Sequence, residues 1–134
     1  MNLAIATTVD APLDETVART REALAAQGFG VLTEIDMAAT LKTKIGAEIE
    51  DYVILGACNP PLAHSAVTAE RQIGLLLPCN VVVRADTTAP GRTIVEAMNP
   101  QLMVTVVDNP DLVAVADEAT AKLTAAVTSL SSDS

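Results

Sequence analysis

Apolar residues recur along this chain with two alternating periods, and the points where the period changes divide it into strands and helices. Residues 2–9 read as a first strand. A helix opens at Asp10-Ala-Pro12, because proline suits a first turn whose N–H has no partner to lose, and Asp14 and Glu15 favour the positive end of the helix dipole. Leu13, Val17, Leu24 and Ala25 fall on one face of that helix, with Thr20 filling the gap, and Gly28 is placed to end it in a left-handed conformation. Phe29 to Asp36 reads as a second strand. Met37, Leu41 and Ile45 then recur at helical spacing, which predicts a short helix closing at Gly46.

The continuous apolar run from Asp51 to Ala57, bounded by Gly56 and the Asn59-Pro60-Pro61 turn, reads as a buried strand. Pro61 opens a helix over 62–72 that carries His64 in its first turn. Cys79 to Asp86 and Arg92 to Met98 form two strands joined by Thr87-Thr-Ala-Pro-Gly91, a hairpin signal, and Asn99-Pro100 stops the second of them. Gln101 to Val107 is ambiguous, since Val104, Val106 and Val107 favour strand and Met103 suits either state. Asn109-Pro110-Asp111 caps a long helix whose apolar stripe runs from Leu112 through Val115, Ala119 and Leu123 to Leu130. The tail Ser131-Ser-Asp-Ser134 reads as frayed. With no repeat or linker, residues 1–134 form one domain in the order β-α-β-(α)-β-(α)-β-β-α. Consecutive strands late in the chain point to α+β, a mainly antiparallel sheet with helices packed on one face.

Composition narrows the function. Half the residues are apolar but Phe29 and Tyr52 are the only aromatics, so the core is built from Ala, Val, Leu and Ile. Eight basic against seventeen acidic residues give a net charge of −9. That charge opposes nucleic acid and anionic membrane surfaces as partners. The opening residues lack a basic start and long apolar run, and no segment approaches the roughly 18 apolar residues that cross a bilayer. Two cysteines without an export signal suggest a cytoplasmic protein with reduced thiols. A mean hydropathy of +0.37 in so small a chain leaves apolar area for a partner subunit, and a homodimer is the expected assembly.

Cys58, His64 and Cys79 carry the soft or switchable ligand atoms outside the methionines. Each cysteine lies at a strand boundary near a proline, where backbone edge and side chain both face a ligand. These atoms suit a soft metal or a haem axial position, yet their spacing matches no paired Cys-x-x-Cys signature, so folding alone would have to assemble them. A thiolate near the start of a proline-initiated helix is the second reading, with Asn59 and Asn80 as hydrogen-bond donors to sulfur or an oxyanion. Both cysteines also read simply as small buried hydrophobes, and sequence alone does not place them close enough for a disulfide. Ser65 beside His64 is no nucleophile pair, because neighbouring helical side chains diverge.

Several spaced segments together resemble the DUF302 family of small domains of unknown function. They are Ala11-Pro12, Gly28-Phe-Gly-Val31, Glu34-Ile-Asp36, Thr40-Leu-Lys-Thr-Lys-Ile-Gly46, Tyr52-Val-Ile-Leu-Gly-Ala-Cys-Asn-Pro60 and, most distinctive, Gly74-Leu-Leu-Leu-Pro-Cys-Asn-Val-Val-Val83. The resemblance implies a fold related to the TATA-box-binding-protein-like class, a curved antiparallel sheet gripped by helices, and implies no activity. The leading expectation is a binding domain with a pocket around Cys58, Asn59, Pro60, His64, Pro78, Cys79 and Asn80, taking a small molecule, haem or soft metal. The alternatives are a thiol-dependent redox or sulfur-transfer enzyme and a non-catalytic homodimeric assembly module.

Overall fold

The computed structural model describes residues 2–132 and consists of one five-stranded antiparallel sheet with helices on one side. The strands are β1 (Ala4–Val9), β2 (Gly30–Asp36), β3 (Tyr52–Cys58), β4 (Cys79–Ala85) and β5 (Thr93–Met98). Their spatial order is β1-β5-β4-β3-β2, so β1 and β2 are the edges and the sheet is open. The α+β expectation holds, as does the β4–β5 hairpin. Its turn is held by Asp86, which accepts from the Thr88 backbone N–H at 2.9 Å, and by Gly91 at φ 81°.

Five α-helices connect and cover the strands: α1 (Leu13–Ala26), α2 (Met37–Ile45), α3 (Pro60–Ala69), α4 (Gln101–Val106) and α5 (Val113–Ser132). The expected helix stops are present: Gly28 at φ 83° follows α1, and Gly46 at φ 69° caps α2. The expected face of α1 is turned to the core, with Leu24 and Thr20 buried and Leu13 and Val17 packed half-buried against it, but Ala25 is exposed and Thr16 takes a buried place. Both threonines are tolerated inside because each hydroxyl donates to a carbonyl four residues back, Thr16 to Pro12 at 2.9 Å and Thr20 to Thr16 at 2.7 Å.

Three boundaries move. Helix α3 starts at Pro60, one residue before the expected proline, and gives way after Ala69 to a 3₁₀ stretch, Arg71–Leu76. The ambiguous segment is helical: Asn99 accepts from the Gln101 N–H at 3.0 Å, and Met103 buries against α5. Both sides of β5 are already taken, by β1 and β4, so this valine-rich segment cannot follow β5 as the next strand of a meander. The long helix is preceded by a 3₁₀ turn, Pro110–Leu112, and continues through Ser132; of the segment read as frayed, Asp133 and Ser134 lie outside the described residues.

Two apolar clusters form the interior. The larger joins the helix-facing side of the sheet (Val9, Leu55, Val81, Val83, Val95) to Leu24 of α1 and Leu123 and Val127 of α5. The smaller joins Ala66, Ile73, Met103, Leu112, Val115 and Ala116. Burying these branched side chains supplies most of the fold's stabilisation, at about 25 cal/mol per Å² removed from water.

Candidate functional site

The seam between the two clusters is not filled. An apolar cavity of about 270 Å³ lies there, with Phe29, Ala57 and Cys79 contributed by the sheet cluster and Ala66, Met103 and Val115 by the helical one. Leu62 and Ala63 on α3 and Ala119 on α5 complete the interior. Leu32, Cys58, Leu77 and Pro78 lie along the same lining, Leu32 being largely exposed. Four of the lining residues are alanines. In a chain with two aromatic residues, small side chains on facing helices leave a gap that nothing larger reaches across.

Asn59 is the single polar residue of the lining, and it is engaged. It is the N-cap of α3: its Oδ1 accepts from the Leu62 N–H at 3.3 Å, while its Nδ2 donates to the Gln27 carbonyl at 3.4 Å. These bonds tie the start of α3 to the turn after α1. Gly28 in that turn approaches closely enough that a Cβ there would sit 3.1 Å from Nδ2.

Of the residues expected at the site, Cys58, Asn59, Pro78 and Cys79 line the cavity. Pro60, His64 and Asn80 are exposed and outside its lining. Asn80 pairs with Gly56 in register, on the opposite sheet face from buried Cys79 and Val81. His64 lies on an exposed face of α3, where neighbouring Ala63 and Ala66 are the positions turned to the cavity.

Both cysteines are free thiols, Cys58 half-buried and Cys79 buried. They are offset by one register step, since Ala57 pairs with Cys79. Burial, and secondarily the neighbouring Cys58, pushes the Cys79 thiol up to about 11. The site therefore holds this sulfur protonated at neutral pH. Among the described residues no group of three or more His, Cys, Asp or Glu side chains is arranged to hold a metal ion.

The helical half of the lining (Leu62, Ala63, Ala66, Met103, Val115, Ala119) was missed in the sequence. Its only signal there is the run of alanines on helix faces, which looks the same whether they pack tightly or leave a space.

The sequence matches the family model described as domain of unknown function DUF302 over residues 5–130. Among solved structures, it is similar to the crystal structure of an uncharacterized conserved DUF302 protein from Bacillus stearothermophilus. That likeness has a TM-score of 0.87 and 27% identity, covering 96% of this chain and 98% of the other. No curated protein matches the chain significantly. No helix among the described residues is long and apolar enough to cross a membrane.

Proposed function

We propose, from the premise that this chain belongs to the DUF302 family of domains of unknown function, that it is a binding domain for a small, predominantly apolar organic molecule held in the seam cavity. One observation carries this reading: the cavity is lined by apolar side chains except for Asn59, whose amide is already hydrogen-bonded. A ligand there gains by leaving water and by supplying the packing contacts that the alanines lack. The volume lies near the lower end of ligand pockets, which begin at roughly 300 Å³, and favours a compact molecule over a haem. A soft metal would draw on the two thiols and the Met103 thioether of the lining, with no His, Asp or Glu side chain there to complete the set. The upward shift of the Cys79 thiol weighs against it as a redox or sulfur-transfer nucleophile.

Titration with the uncharged fluorophore N-phenyl-1-naphthylamine tests the cavity. Wild-type protein should enhance its emission saturably. Ala63→Phe, which fills the lining from a half-buried position, should weaken binding at least tenfold, as should Ala119→Leu from the opposite wall. Unchanged affinity in both folded variants would rule the cavity out as the binding site.

The assembly reading gains separate support from β2. It is an edge strand with no buried residue, and it exposes Leu32 and Ile35; it has no lysine or proline, and what blunts this edge is the break in pairing between Val31 and Thr33 and the charges of Glu34 and Asp36. A second copy paired along β2 would cover these side chains and, through Leu32, one margin of the cavity. We place the domain in the cytoplasm, where its free thiols would stay reduced.

A further inference from the structure

Helix α5 contributes to more than the apolar cavity. Ala119 faces it, and one turn further on Lys122 lines a second, open cleft of about 570 Å³ with Gln27, Gly28, Pro61 and Glu118. Asn59 borders both spaces, which places the cleft next to the apolar cavity at that residue. Lys122 is half-buried and, like Arg19, Lys44 and Arg71, takes part in no ion pair among the described residues; of these four it is the one that lines a cleft sharing a residue with the apolar cavity. An ammonium group beside an apolar cavity, without a carboxylate on it, is matched by an anionic end on an otherwise apolar ligand. Glu118 is exposed in the same cleft and works against such a group, so it tempers the preference without removing it.

We infer that the ligand is an anionic amphiphile, its apolar body in the seam cavity and its carboxylate in the adjoining cleft on Lys122. The inference rests on the cavity reading above and adds the chemical class of the ligand and a residue that recognises it. Lys122 is a binding and positioning residue here, since no bond is made or broken.

Calorimetric titration with octanoate and with 1-octanol separates the two levels of this claim. An apolar cavity by itself favours the alcohol, because a carboxylate loses more hydration. The expected result is that octanoate binds roughly tenfold tighter, the scale of one charge-assisted hydrogen bond. Lys122→Gln should abolish that preference while leaving octanol binding intact, Lys122→Arg should retain it, and Glu118→Gln should strengthen octanoate about twofold. Equal or weaker binding of octanoate to the wild type, or a preference that survives Lys122→Gln, overturns the anion site but leaves the cavity reading standing. Failure of both probes to bind overturns both.

Discussion

Cys79 is where burial most changes a side chain's chemistry. Its thiol titrates at about 11 in the fold against 9.0 unperturbed, because the ionised sulfur would lie in an apolar wall. The sign of the linkage follows. Below pH 9 the thiol is protonated whether the chain is folded or not, and the full stability is present. Between about pH 9 and 11 the unfolded chain ionises first, so stability falls as pH rises, by about 2–3 kcal/mol over two units. Denaturant unfolding from pH 8 to 11 should show this decline in the wild type and a shallower one in Cys79→Ala; identical slopes would contradict the burial of that thiol. Gly56 is a second residue with a physical constraint. A Cβ there would collide with the Thr33 side chain and come within 2.9 Å of Pro78, so only glycine lets β2 and the β4 entry close over this point of β3. Neither constraint is visible in sequence, where Gly56 reads as a strand terminus and Cys79 as a ligand as readily as a core residue.

At the scale of elements, the strands and the principal helices were legible because local signals agreed with one another: Pro12 and the acidic first turn of α1, Gly46 after the Met37–Leu41–Ile45 spacing, and Pro90-Gly91 in the hairpin. Gln101–Val106 was not, since its valines favour a strand and it is the Asn99 contact at its start and the burial of Met103 that accompany the helix. The second strand was legible as a strand but not as an edge. Its isolation gives the assembly prediction its content. Glu34 on β2 is neutralised by Arg21 at 2.7 Å, which lowers the repulsion that a net charge of −9 per copy would otherwise bring to that edge. Light scattering should give twice the 13.9 kDa of one chain, and Ile35→Lys, at an already exposed position, should shift the protein to monomer without unfolding it. A wild-type monomer would remove the dimer from the account.

Across the whole molecule, the cavity exists because two separately packed clusters meet across alanines, an outcome of tertiary geometry that no local pattern announces. The sequence pointed to the neighbourhood of the cavity, the end of β3 and the start of β4, because Cys58, Asn59, Pro78 and Cys79 sit where those strands leave the sheet. It could not separate them from Pro60, His64 and Asn80, which share the same segments but face outward. The helices that enclose the space lie up to 61 positions further along the chain, from Cys58 to Ala119. Native mass spectrometry of the protein purified from its own host addresses the central claim most directly. The account predicts a bound organic species of low mass that is released on denaturation and is absent from Ala63→Phe. A wild-type spectrum containing only the bare chain, together with no uptake of an added apolar probe, would contradict it.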